Sequence, residues 1–93
     1  MQKLRMNVQG RVQGVGFRIT TKLLAERLGV KGAVWNEADG SVGIIAIAEQ
    51  QTLDQFIREI KDSPTPAGRV TYVDIFEDPL IEDYTDFSVT NPY

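Results

Sequence analysis

Polar and apolar positions alternate over residues 3–9, with Leu4, Met6 and Val8 on one side and Arg5, Asn7 and Gln9 on the other. A period of two is that of a half-buried strand, so the chain is predicted to open on one. Glycines at 10, 14 and 16 interrupt the alternation. Beyond them Phe17, Thr21, Leu24 and Leu28 recur at helical spacing until Gly29 closes the run as a C′ residue, with Val30 placed to seal the cap. Residues 32–37 and 41–48 read as antiparallel strands joined around Asp39 and Gly40, a pair that favours a tight hairpin turn. The second of these strands has Val42, Ile44 and Ala46 on one face and Ile45 and Ile47 on the other, and apolarity on both sides predicts an inner strand.

Thr52 and Gln55 have the spacing of a capping box, and Leu53, Phe56, Ile57 and Ile60 form an i, i+3, i+4, i+7 stripe. These predict a second helix that ends before Pro64. A loop over residues 63–68 follows, then a strand over 70–77 and a short last strand over 87–90. The order β, α, β, β, α, β plus a terminal strand, joined by right-handed crossovers, places both helices on one face of one sheet. The predicted class is α+β, a ferredoxin-like α/β sandwich. That architecture serves many unrelated functions, so the chemistry has to be sought in particular residues.

The 93 residues fit one compact domain, expected to span 1–93. With 10 basic and 13 acidic residues the net charge is −3, which argues against general binding to nucleic acid or an anionic membrane. Any anion must therefore be captured locally. No apolar stretch follows the basic residues near Met1, so neither a signal peptide nor a membrane anchor is expected, and the expected location is cytoplasmic. The chain has no Cys and no His. Disulfides, thiolate nucleophiles, Ser-His triads and typical zinc hydrolases are thereby excluded. Asp74, Glu77 and Asp78 read as a solvated acidic rim without metal-ligand spacing.

Residues 10–18, GRVQGVGFR, lie between a strand end and a helix start, where backbone amides lack intrahelical partners. The glycines allow successive N–H groups to converge on one anion, the helix dipole adds a fixed positive contribution, and Arg18 can bring a planar charged fork to oxygens the amides leave uncovered. A nucleotide P-loop is excluded, because Phe17 and Arg18 stand where Lys and Ser or Thr are required. The dinucleotide fingerprint fails as well, because Ile19 occupies the place of its third glycine. Taken alone, such a loop is as readily a mere connector. Asn36, taken alone, is a strand-end residue before a hairpin, a common place for asparagine. Arg11 reads as a solvated edge charge, and Phe17 and Trp35 as core.

The string GRVQGVGFR followed by GAVWNEADGSV at residues 32–42 closely resembles the two signatures of the acylphosphatase family, G-R-V-Q-G-V-x-F-R and G-x-V-x-N-x-x-D-G. The resemblance continues through Ser63, Pro64, the strand from Arg69, and Asp86, Phe87 and Ser88. It implies that the amides of Gln13, Gly14, Val15, Gly16, Phe17 and Arg18, with the Arg18 side chain, bind phosphate, and that Asn36 orients the attacking water. The implied substrate is a small acyl phosphate cleaved to carboxylate and inorganic phosphate, with no metal, no cofactor and no covalent intermediate. A monomer without nucleic-acid or membrane partners is expected. The chemistry suits a chain without histidine: a carboxylate leaving group, with a conjugate-acid pKa of about 4 to 4.5, needs no general acid at neutral pH.

Three departures from the family pattern stand out. Glu37 follows Asn36 where relatives carry Thr or an apolar residue, and strand alternation predicts that it points away from the site. Trp35 replaces a tryptophan more usual at position 33, on the same strand face. Ile19 and Thr20 stand where an aromatic or basic residue is frequent, leaving room for altered acyl-group preference. Two other readings compete: an anion-binding module without catalysis, and a nucleic-acid module, which would need exposed aromatics on the central strands and a basic face.

Overall fold

The structure, a computed structural model, describes residues 1–90. Five strands and two helices follow in the order β1 (Gln2–Arg11), α1 (Phe17–Leu28), β2 (Lys31–Asn36), β3 (Val42–Ala48), α2 (Gln50–Lys61), β4 (Arg69–Glu77) and β5 (Phe87–Val89). They build one sheet in the order β4-β1-β3-β2-β5. Every neighbouring pair is antiparallel except β2 and β5, which run parallel. This is the ferredoxin-like sandwich expected from the element order, with β5 added beside β2.

The alternation of β1 sets the layers. Leu4, Met6 and Val8 join Val34, Val42, Ile44 and Ala46 beneath Phe17 and Leu24 of α1 and Leu53, Phe56 and Ile60 of α2. Fully burying one such aliphatic or aromatic side chain contributes about 1.5–3 kcal/mol. The apolar second face of β3 has its own cover: Ile45 and Ile47 pack with Ile81, Trp35 and Tyr84. The inner-strand expectation for β3 therefore holds, and the segment after β4 explains why both faces are apolar. That segment is pinned to β1 by Lys3, whose ammonium pairs with Asp83 at 2.8 Å, and by Arg5, whose Nε donates to Asp78 at 2.8 Å. Asp78 is thus a paired, half-buried carboxylate and not part of a solvated rim.

Two local expectations are corrected, and the hairpin between them is borne out. Helix α2 begins at Gln50 with Glu49 as its N-cap and no side-chain cap, so the Thr52–Gln55 capping box does not form. The strand β3 runs to Ala48, leaving Glu49 as the sole junction residue; Thr52 is already inside the helix, where its hydroxyl cannot serve as N-cap. The β2–β3 connection is the tight hairpin expected around Asp39 and Gly40. Glu37 N donates to Ser41 O at 2.9 Å and Gly40 N to Glu37 O at 3.3 Å, with Gly40 at φ 95°, the form of a three-residue hairpin loop. Finally, β1 continues through Gly10 to Arg11, because a register shift at Gln9/Gly10, which leaves Thr71 of β4 without a partner residue, lets the pairing with β4 go on past the glycine. The α1 terminus forms as expected: Gly29 has φ 81° and Val30 N donates to Ala25 O at 2.8 Å.

Candidate phosphate site

Between β1 and α1 the chain is anchored from below by its apolar residues. Val12 and Phe17 are each 1% exposed in the core, and Val15 packs against the same cluster. Gly14 at φ 76° and Gly16 at φ 79° turn the backbone between these anchors. A Cβ at either would meet nothing within 4 Å, so glycine is required there for its left-handed conformation and not for space. Gly16 is the N-cap of α1 and supplies no side-chain cap, and the first turn holds no acidic residue. Among the described residues, none of the amides of Gln13, Gly14, Val15, Gly16 and Phe17 donates a hydrogen bond within the protein. A helix N-terminus in this state leaves donors and a positive dipole end facing outward.

Two neighbouring segments hold the loop. Thr65, buried in the α2–β4 connection, donates its hydroxyl to Val15 O at 3.2 Å. Gln13 donates its side-chain amide to Glu37 O and Ser41 O, both at 2.8 Å. The hairpin is braced in turn. Asp39 accepts from Ser41 N at 2.9 Å and from the Ser41 hydroxyl, and these bonds hold its carboxyl below the usual carboxylate range.

Arg18, in the first turn of α1, is half-buried, and its Nη1 donates to Thr90 O at 3.3 Å. Thr90 N donates to Val34 O at 2.8 Å, so the guanidinium lies over the end of β2. Val34 faces the helices, and alternation puts Asn36, two residues on, on that same face. Arg18 thus meets the β5 side of the sheet through Thr90, and Asn36 is the last residue of the neighbouring β2. The Asn36 carboxamide oxygen is buried and has no hydrogen-bond partner among the described residues. A buried polar atom without a partner costs about 1–3 kcal/mol, so it calls for an explanation.

Two of the departures from the family pattern, Glu37 and Trp35, resolve on the opposite face. Glu37 accepts a hydrogen bond from the Trp35 indole at 2.6 Å, which turns its carboxylate away from the Asn36 face as alternation predicted. The Trp35 ring lies on Gly43, its cross-strand partner, where a Cβ would come within 2.4 Å of it. Trp35 thus belongs to the smaller cluster under Ile81, and Phe17 to the main core. Arg11 is exposed and makes no ion pair among the described residues. Ile19 is also exposed, and Thr20 turns its hydroxyl back to Gly16 O and Phe17 O at 2.9 and 3.1 Å. Sequence reasoning missed Thr90 as the partner of Arg18 and the Gln13 side chain as a brace. Nothing local marks Thr90; a polar Gln13 between the apolar Val12 and Val15 was a signal for the second.

The acylphosphatase family profile matches residues 4–89. An acylphosphatase of Enterococcus faecalis is 66% identical over 89 residues, which cover 96% of this chain and 98% of the relative. The chain belongs to the acylphosphatase family. Among solved structures, the acylphosphatase of Bacillus subtilis superposes with a TM-score of 0.91 at 34% identity, covering 97% of this chain and 99% of that one. An acylphosphatase of Coxiella burnetii gives 0.89 at 31% identity, covering 96% and 92%. Like its acylphosphatase relatives, the chain is a hydrolase acting on acid anhydrides. No described helix is long and apolar enough to cross a membrane.

Proposed function

We propose that this protein hydrolyses small acyl phosphates by direct attack of an oriented water, with Arg18 and Asn36 as its catalytic side chains. The free amides of residues 13–17, with that of Arg18, and the Arg18 guanidinium grip the oxygens of the transferring phosphoryl group. The observation that carries the reading is the buried carboxamide oxygen of Asn36, at the end of β2, which has no hydrogen-bond partner among the described residues. That oxygen accepts a hydrogen bond from water and aims it in line, although a carboxamide is too weak a base to take the proton. The water oxygen bonds to phosphorus as the phosphorus–acyl oxygen bond breaks. The carboxylate leaves with the bonding pair, and the water's proton passes to a phosphate oxygen.

Stabilising charge on the phosphoryl oxygens and holding water are positioning and electrostatic tasks, which amides, a guanidinium and a carboxamide can perform. The reaction needs no cofactor, and a monomer acting in the cytoplasm is sufficient for it. The test is hydrolysis of benzoyl phosphate by purified protein in the presence of a chelator. Turnover above buffer that persists with the chelator is expected. Phosphate binding without turnover would leave an anion-binding module instead.

A further inference from the structure

We infer that the Gln13 side chain is a positioning residue that sets the separation between the phosphate loop and Asn36. The inference rests on the acyl phosphate reading and adds to it a part for a side chain whose backbone amide alone had been assigned. The two carbonyls it meets settle which end of the carboxamide faces them, because only the NH₂ can donate. Both of its hydrogens are used, one on Glu37 O and one on Ser41 O, each at 2.8 Å.

Those two carbonyls are the ones that close the hairpin. Ser41 O already accepts from Glu37 N and Glu37 O from Gly40 N, so Gln13 takes the second lone pair of each. The residue immediately before Glu37 is Asn36, and the residue immediately after Gln13 is Gly14 of the loop. One carboxamide thus bridges the segment that would hold the phosphoryl group and the segment that would hold the water. No other side-chain hydrogen bond among the described residues joins loop residues 13–17 to the hairpin. In-line attack depends on that separation, and a displacement of about 1 Å in such a reaction costs roughly a hundredfold in rate.

The experiment compares wild type with Gln13→Met, which keeps length without a donor, and Gln13→Glu, which keeps shape but at neutral pH presents only acceptors to two carbonyls. Benzoyl phosphate kinetics, inhibition by inorganic phosphate and the melting temperature are measured for each. The expected result is a fall in kcat of about 10- to 100-fold in both variants, with KM and the phosphate inhibition constant within about threefold of wild type. Unchanged kcat in both folded variants would overturn the inference, and so would a loss of phosphate affinity as large as the loss of rate. If Gln13→Glu matched wild type while Gln13→Met did not, the side chain would be acting by shape and the inference would also fall. Wild-type turnover beside unaffected variants sinks this inference alone; absence of wild-type turnover sinks the acyl phosphate reading and this inference with it.

Discussion

At the scale of single residues, Arg18 and Asn36 are assigned different work and should fail differently. Arg18→Ala removes a charge-assisted contact to the phosphoryl oxygens, so turnover should fall roughly a hundredfold or more and inhibition by inorganic phosphate should weaken with it. Arg18→Lys should be nearly as damaging, because an ammonium cannot supply the planar fork. Asn36→Ala should leave phosphate inhibition near the wild-type value while nearly abolishing kcat, since it takes away the water's acceptor and leaves the clamp in place. Steady-state kinetics with phosphate as competitor decide the matter: a change in KM alone for Asn36→Ala would refute its role. Both residues were legible in the sequence only through the spacing of two motifs. What remained hidden was the context of each: Thr90, which anchors Arg18 from 72 positions away, and the burial of the Asn36 oxygen without a partner among the described residues, which is a property of packing.

At the scale of elements, periodicity located every strand and helix, and the errors fell at their ends. The Thr52–Gln55 spacing suggested a helix start that the continuous run from β3 through Glu49 overrode, because the chain turned into α2 as soon as the strand ended. Asp39-Gly40 marked the hairpin, and the predicted strand ends at 37 and 41 left the three loop residues observed, with Gly40 in a left-handed conformation after a turn over residues 37–40. The same conformation at Gly16 leads to an element-level prediction. Gly16→Ala meets no steric obstacle, yet it forces an alanine to φ 79° at the mouth of α1. The cost should be about 1–2 kcal/mol, which for a domain of this size lowers the melting temperature by roughly 4–16 °C. Thermal denaturation followed by circular dichroism measures it, and an unchanged melting temperature would show that the loop relaxes to another conformation.

At the scale of the whole molecule, the covered second face of the sheet depends on ion pairs between β1 and the segment after β4. The Arg5 guanidinium and then Leu80 N hold the Asp78 carboxyl below its ordinary value, and the Lys3 ammonium does the same for Asp83. A carboxylate with a depressed folded-state pKa stabilises the fold above its unfolded pKa, near 3.9 for aspartate. That contribution is lost as the pH falls through the lower folded value. The melting temperature should therefore hold steady from neutrality to about pH 5 and decline below about pH 4, with a shallower decline in Asp78→Asn. Equal acid limbs in the two proteins would show that the pairs are too well screened to matter.

The parallel pairing of β5 along β2 ties the first turn of α1 to a segment 72 positions further on. The Arg18 side chain meets the Thr90 carbonyl only because β5 returns to lie beside β2. The placement of that guanidinium is therefore a property of the assembled sheet and not of the glycine loop beside it.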